Sequence, residues 1–163
     1  MPNTILIVAG EPNWTRRAMH LAAAMARETA AAVTLVRMIR VAHPEYLGAG
    51  AREALLSYEE YNLLGECLAT AASYGIGADV ALFEYSDYVG GLRSAAEQCT
   101  PAAVFAPAPG GFLPGVARLR LWALRRALGR PLYTLGPGDA PLMWIPPASS
   151  PGAEPNPALL PHS

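Results

Sequence analysis

The stretch TPAAVFAPAPGGFLPGVARLRLWALRRALGRPLYTL, from Thr100 to Leu135, decides the fold class of this chain. The short apolar run Ala102–Ala106 is followed by a loop rich in proline and glycine, residues 107–115, and by helical periodicity over Val116–Leu128. A second apolar run with β-forming residues, Pro131–Leu135, closes the unit. Strand, glycine loop, helix and strand make up one turn of a parallel α/β sheet, and the glycine loop lies where such sheets bind ligands.

The same alternation of apolar runs and helical segments precedes this stretch. The predicted strands are Ile5–Ala9, Ala32–Val41 and Ala78–Tyr85; the predicted helices are one capped by Asn13, the long segment Ala51–Tyr74 and a short one that begins at Ser86 and Asp87. Helical periodicity places Leu21 and Leu68 on the buried stripes of the first two helices. The order β-α-β-α-β-α-β-α-β predicts an open, doubly wound α/β domain with a five-stranded parallel sheet.

Proline density separates the end of the chain from this domain. Eight of the 16 prolines follow Gly136, and a segment so rich in proline cannot build a core. We therefore expect an α/β domain over residues 1–136 and a flexible tail over residues 137–163. Within that tail, Leu142–Ile145 is an apolar patch that either lies back on the domain or on a partner, or is carried by the flexible tail.

The composition excludes several kinds of chemistry. All 12 basic residues are arginine, so a Walker-type loop lysine, a Schiff-base lysine and a lysine general base are excluded. The net charge of −1 favours neither nucleic acid nor membrane as a partner. No apolar run approaches the roughly 20 residues of a membrane span, and the first residues lack the basic region of a signal peptide. We therefore expect a soluble cytoplasmic protein.

No cluster in the sequence has the spacing of a metal site or a catalytic site. Cys67 and Cys99 are far apart and fall on apolar helix faces, so we expect buried thiols. His20, His43 and His162 form no pair with metal-ligand spacing, and no nucleophile elbow occurs. The sequence therefore predicts no catalytic residue and no metal ligand, as in a protein that is not an enzyme.

The order of strands and helices over residues 5–135 resembles the universal stress protein family. The resemblance is carried by the opening strand ILIVAG, the second strand AAVTLVRMI and the run ALFEYSDYVGGLRSAAEQCTPAAVFAP. It implies a parallel sheet of five strands, a dimer formed through the last strand and a role in stress response or regulation. Many members of this family bind ATP, with an aspartate at the end of the first strand and a loop of the form G-x2-G-x9-G-[S/T] after the fourth.

This chain departs from most of that signature. Gly10 occupies the position of the aspartate and has no side chain to contact a nucleoside. Pro107 takes the place of the first loop glycine and has no N–H to offer a phosphate. Gly110 keeps the second glycine, whereas Arg120 and Leu121 replace the final glycine and the hydroxyl residue. The resemblance therefore implies a divergent member without canonical ATP binding, and we expect no cofactor.

Two other functions are compatible with the sequence. The first is an adenine-nucleotide-binding protein, for ATP or AMP, with or without slow hydrolysis. Its binding residues would be Gly10, Gly110, Gly111 and Arg120. Glycines before a helix N-terminus favour anions, although the same pair also suits a plain β-α turn. The second is a protein-interaction adaptor that uses the tail and the arginine-rich helix.

Arginine dominates the last predicted helix. Between Gln98 and Gly138 there are five arginines and no acid. Arg118, Trp122 and Arg126 fall on one face at ~100° per residue, together with Arg125. This face is either a patch for an anion or nucleic acid, with one stacking aromatic, or a solvated face with Trp122 covered by a neighbour. We expect the solvated face, and no nucleic-acid partner.

The last predicted strand would form an edge of the sheet. Residues 132–135 carry no charge, and Pro131 stands at the first position, where it interrupts little. We therefore expect a homodimer in which two copies pair through Pro131–Leu135 about a two-fold axis. In the alternative, Leu142–Ile145 folds back over this edge within one chain.

Overall fold

The described residues alternate between strands and helices up to the last hairpin. The computed structural model describes residues 3–42, 56–107, 114–135 and 142–145 of the chain. The elements in order are β1 (Thr4–Val8), α1 (Pro12–Thr29), β2 (Ala32–Arg40), α2 (Tyr58–Ser73), β3 (Ala78–Tyr85), α3 (Tyr88–Cys99), β4 (Ala103–Phe105), α4 (Pro114–Leu128), β5 (Leu132–Leu135) and β6 (Leu142–Ile145). The predicted alternation is confirmed, and β6 follows the five expected strands.

These strands form one sheet in the order β3-β2-β1-β4-β5-β6. The first five are mutually parallel, and β6 runs antiparallel to β5. The chain moves outward from β1 to β3 and then returns to the other side of β1 as β4. The predicted doubly wound, five-stranded parallel arrangement is confirmed. Its switch point lies between β1 and β4, where open α/β sheets place ligands at the carboxyl ends of their strands.

Helices cover both faces of the sheet. The first face packs against α1 and α2, and the second face packs against α3 and α4. Alternate residues of β1 divide between the two cores, with Ile5 and Ile7 on the first face and Leu6 and Val8 on the second. A continuous apolar run such as β1 suits a central parallel strand, because both of its faces are buried.

The start of α1 differs from the prediction. Asn13 is not its N-cap; Glu11 is, and its carboxylate accepts hydrogen bonds from the backbone N–H groups of Asn13 and Trp14, both at 3.0 Å. Pro12 occupies the first turn, where its missing N–H would have no helical partner in any case. The helix therefore begins close behind Gly10, and an acid of the chain itself occupies its positive end.

Two leucines expected in the core lie at the surface. Leu21 on α1 is 40% exposed and Leu68 on α2 is 37% exposed. The buried arc of α1 is filled mainly by alanine, such as Ala22, whereas that of α2 is centred on Leu63, Leu64 and Cys67. Both leucines stand roughly 100° from the centre of their arc, at ~100° of rotation per residue. Helical periodicity therefore predicts the wrong margin of each helix as buried at these two positions.

The prediction that β5 is an open edge is wrong. β6 pairs with it along its whole length, from Leu132 opposite Ile145 to Leu135 opposite Leu142. The uncharged sequence LMWI suits a strand, and pairing satisfies backbone groups that β5 would otherwise expose. The alternative in which residues 142–145 fold back is the one observed. The boundary at residue 136 stays a prediction, and the rest of the predicted tail lies outside the described residues.

Candidate functional site

A cleft of about 590 Å³ opens at the carboxyl end of the sheet, beside the switch point. The carboxyl ends of β1, β2, β3 and β4, the start of α3 and one side of α4 contribute to it. The lining residues are Ala9 and Gly10 after β1, Arg37 and Met38 of β2, Tyr85 of β3, Asp87, Tyr88 and Val89 at the start of α3, Pro107 after β4, and Arg120 and Leu124 of α4. The fold therefore places its cleft where doubly wound sheets bind ligands.

One wall of the cleft is aromatic and apolar. The rings of Tyr85 and Tyr88 meet edge to face, with centroids 5.7 Å apart and planes at 79°. Leu124 is buried beside them, and Met38 completes the wall. Burial raises the pKa of Tyr88 to about 12, so its phenol stays neutral at physiological pH. This wall suits an apolar or aromatic group, which can stack or pack on the tyrosine rings.

Gly10 and Pro107 meet at the switch point. A Cβ placed on Gly10 would lie 3.0 Å from Cγ and 3.3 Å from Cβ of Pro107. Any side chain at position 10 would therefore force the proline ring to move by a few tenths of an ångström. Two departures from the family signature, far apart in sequence, are thus in direct contact. In the sequence they are independent losses, because only the pairing of β1 with β4 brings them together.

The start of α1 offers no anion site. Its N–H groups at Asn13 and Trp14 already donate to the Glu11 carboxylate, and these hydrogen bonds hold the pKa of Glu11 below its ordinary value. The backbone N–H of Gly10 donates to Oγ1 of Thr15 at 2.9 Å. Because these donors are paired within the chain, a phosphate near Gly10 would have to displace the Glu11 cap.

Arg37 is committed to the first face of the sheet. Its guanidinium forms an ion pair with Glu60, and its Nη1 donates to the carbonyl of Met38 at 3.0 Å. Glu60 also accepts from the N–H of Ser57 at 2.9 Å, which closes the capping box of α2. The hydrogen bond from Ser57 and then that from Arg37 lower the pKa of Glu60. Arg37 therefore links β2 to α2, and the same side chain also lines the cleft.

Asp87 caps α3, as predicted from the sequence. Its Oδ2 accepts a hydrogen bond from the N–H of Gly90 at 2.8 Å. The next residue, Gly91, lets α3 lie close to the sheet, since a Cβ there would fall 2.5 Å from Cβ of Tyr85. This role of Gly91 was not predicted; the signal for it in the sequence is the glycine pair near the start of a helix.

The described residues bring together only part of the predicted site. Gly10 and Arg120 both line the cleft, on opposite sides of the switch point. Gly110 and Gly111 lie outside the described residues, so their contribution stays a prediction, as does any ligand contact of Arg120. The cleft residues that were not predicted as site residues include Met38, Tyr85, Tyr88 and Leu124.

The cysteines and histidines form no second site within the described part of the chain. Cys67 is buried, as expected, and burial raises its pKa to about 11. Cys99 is only half-buried, and its pKa is also raised by burial. Over residues 3–42, 56–107, 114–135 and 142–145, no group of histidine, cysteine and acidic residues could hold a metal ion. None of the helices in these ranges has the length and hydropathy needed to cross a membrane.

Comparison with solved structures identifies the fold. The structure is similar to a protein of the universal stress protein family from Burkholderia pseudomallei, with a TM-score of 0.58 and 18% identity over 82% of this chain and 95% of that one. It is also similar to a universal stress protein in complex with cAMP, with a TM-score of 0.62 and 14% identity over 83% of this chain and 98% of the other. The chain has the universal stress protein fold.

A third similar structure comes from a plant. It is a universal stress protein family protein from Arabidopsis thaliana with AMP bound, with a TM-score of 0.54 and 15% identity over 82% of this chain and 90% of that one. No protein-family model matches the sequence, and no curated protein is significantly similar to it. The resemblance stated from the sequence is thus confirmed as a resemblance of fold, at low sequence identity.

Proposed function

We propose that this chain is a non-catalytic, cytoplasmic domain of the universal stress protein type that acts in stress response or regulation without canonical ATP binding. The observation that carries the proposal is the contact between Gly10 and Pro107. At the two positions where the family signature places an aspartate and a glycine, this chain has a bare backbone packed against a proline ring.

Three further features of the site support this proposal. Pro107 has no N–H to donate to a phosphate, and an aspartate at position 10 would force its ring to shift. The N–H groups at the start of α1 are used by Glu11. Leu121 stands in place of the signature hydroxyl residue and is half-buried on α4. Because its side chain is a hydrocarbon, it offers no hydrogen-bond donor or acceptor to a ligand.

A second candidate is an adenine-nucleotide-binding protein that uses ATP or AMP, with or without slow hydrolysis. The size of the cleft, its tyrosine wall and Arg120 at its rim favour this candidate. Two similar structures carry AMP and cAMP, respectively. Binding in this chain would then rest on Gly10, Arg120 and the Gly110–Gly111 loop, in place of the aspartate and the hydroxyl residue.

Isothermal titration with ATP, AMP and cAMP separates the two candidates. We expect no one-to-one site tighter than ~10 μM in the wild type. A tighter site that is lost in Arg120→Ala would support the second candidate and overturn the first.

The close packing of Gly10 against Pro107 can be tested by stability measurements, without any ligand. Gly10→Asp should lower the free energy of unfolding by roughly 1–3 kcal/mol through overpacking, and adding Pro107→Gly should recover most of that overpacking cost. Pro107→Gly alone provides the baseline for the double variant. If the two changes are simply additive in urea unfolding, the contact does not couple the two positions.

We also propose that the protein is a homodimer, now through the outer edge of β6. This short strand carries no charge, and it is the edge that the described sheet presents next to β5. Light scattering at ~100 μM should give the mass of two chains, and Met143→Pro, which removes a donor from the strand, should give one. A monomeric wild type would contradict the dimer, and a dimer unaffected by Met143→Pro would place the interface elsewhere.

A further inference from the structure

α4 exposes an apolar stripe on the side turned away from the sheet. Val116 is 38% exposed, Leu119 63% and Trp122 49%. These residues are three apart, so they follow one another along the helix over ~9 Å. Leu124, which is 1% exposed, and Leu128 anchor the opposite side of α4 in the core. The expectation that a neighbour covers Trp122 is therefore wrong.

Arginines flank this stripe. The guanidinium of Arg126 lies over the ring of Trp122, 5.4 Å from its centroid, and so holds the indole in place. Arg118 and Arg130 continue the basic surface along α4 and just beyond it. In the described ranges, no acidic side chain forms a salt bridge with Arg118, Arg126 or Arg130.

The charge of α4 contrasts with that of the other described elements. Residues 3–42 and 56–107 hold six arginines and nine acids, a net charge of 6 − 9 = −3, whereas residues 114–135 hold five arginines and no acid, a net charge of +5. In the first two ranges, Arg16, Arg27, Arg37 and Arg93 pair with acids, as Arg93 pairs with Glu97 within α3 at 2.8 Å. The acids that would complement α4 are thus missing from α4 itself.

We propose that the α4 surface, formed by Val116, Leu119, Trp122, Arg118 and Arg126, docks an acidic amphipathic segment of a partner protein. The apolar side of such a segment would cover the stripe, and its carboxylates would pair with the flanking guanidiniums, which bind them in a bidentate manner. Tryptophan and arginine are also the residue types that contribute most to binding at protein interfaces. This partner surface goes beyond the proposed function.

Charge and apolar exposure favour this occupant over two others. A second copy docked on α4 about a two-fold axis would bring its arginines against the same arginines, and like charges oppose that contact. Nucleic acid would engage the guanidiniums but would leave Val116 and Leu119 uncovered, and the negative remainder of the molecule would repel an extended polyanion. The surface is also separate from the cleft, which α4 borders through Arg120 and Leu124.

A designed peptide tests the proposal on the full chain. The probe is a fluorescein-labelled helical peptide of about four turns, with leucine at i, i+3, i+4 and i+7 and glutamate at the flanking positions. We expect micromolar binding by fluorescence anisotropy that weakens as salt is raised. Trp122→Ala should weaken it at least about tenfold. The double charge reversal Arg118→Glu with Arg126→Glu should abolish it.

Matched controls distinguish specific docking from nonspecific binding to exposed aromatic side chains and from unfolding of the variants. Tyr61→Ala removes another exposed aromatic, 69% exposed on α2, and should leave binding unchanged. Thermal unfolding checks that each variant is folded. The proposal fails if the peptide does not bind at ~1 mM, or if a peptide with serine in place of leucine binds equally well. It also fails if a thymidine oligonucleotide of equal charge binds more tightly than the peptide, or if Trp122→Ala converts a dimer to a monomer in light scattering.

Discussion

α1 and α4 pack on opposite faces of one sheet and use the same two residue types in opposite ways. On α1, Trp14 is 8% exposed, and its indole N–H donates to the carbonyl of Leu135 at 3.3 Å. Arg16 on the same helix pairs with Glu66 of α2 at 2.8 Å. On α4, Trp122 is 49% exposed, and Arg126 stacks on it without an acid partner among the described residues.

The arginines of α1 and α4 differ in pairing because the helices packed beside them, α2 and α3, differ in the acids that they supply. On the first face, α2 supplies Glu60 and Glu66, which pair with Arg37 of β2 and Arg16 of α1 inside the chain. On the second face, α3 pairs its own Arg93 with its own Glu97 and, within the described residues, forms no salt bridge to α4. Side chains that look alike in sequence are therefore structural on one face and available for binding on the other.

The largest expected effect contrasts the two tryptophans. Trp14→Ala should lower the free energy of unfolding by about 3–5 kcal/mol, because it removes a buried ring and the hydrogen bond from α1 to β5. Trp122→Ala should change it by no more than about 0.5 kcal/mol. Urea unfolding at 25 °C measures both values. Equal losses would show that Trp122 is part of the folding core and would remove the contrast between the faces.

The next largest expected effect is that of replacing a helical glycine by alanine, which should change the free energy of unfolding in opposite directions on the two faces. Gly91→Ala in α3 should cost roughly 1–3 kcal/mol, since the new Cβ would meet Cβ of Tyr85 at 2.5 Å. Gly65→Ala in α2 should stabilise the protein by about 0.5–1 kcal/mol, since no atom lies within 4 Å of the new Cβ. Thermal and urea unfolding of both variants test the pair. A stabilising Gly91→Ala would mean that α3 does not need its close approach to β3.

The smallest effect is a pH dependence confined to the first face. The pKa of Glu60 is lowered in the folded state, so its charge stabilises the protein above the unfolded value of 4.5, and that stability is lost as pH falls through the folded pKa. At pH 7 the free energy of unfolding of the wild type should exceed that of Glu60→Gln by at most about 1 kcal/mol. The effect is small because the ion pair with Arg37 is about one-third exposed.

The two proteins should converge once the pH lies well below the lowered folded-state pKa of Glu60, where its carboxyl group is protonated. Glutamine keeps an acceptor for the capping box, so the comparison isolates the charge. Glu59→Gln, in the same turn of α2, controls for the loss of a negative charge near a helix start. A gap between wild type and Glu60→Gln that persists at low pH would assign the effect to packing instead of to the ion pair.

Local patterns in the sequence determined much of this fold. The apolar run of β1 predicted a strand buried on both faces, and Asp87 predicted the start of α3, because periodicity and capping act over a few neighbouring residues. The alternation of these elements was enough to predict the doubly wound parallel sheet, since a crossover between parallel strands is right-handed and leaves few alternatives. The same spacing supported the resemblance to the universal stress proteins.

Only the tertiary structure decided the features on which function depends. The contact of Gly10 with Pro107, the pairing of β6 with β5 and the exposure of Trp122 each depend on segments that are distant in sequence. Periodicity shows which side of a helix is apolar, but it does not show whether a neighbour covers that side. Coverage and close approach depend on how the elements pack together, and the stretch around a residue does not contain that information.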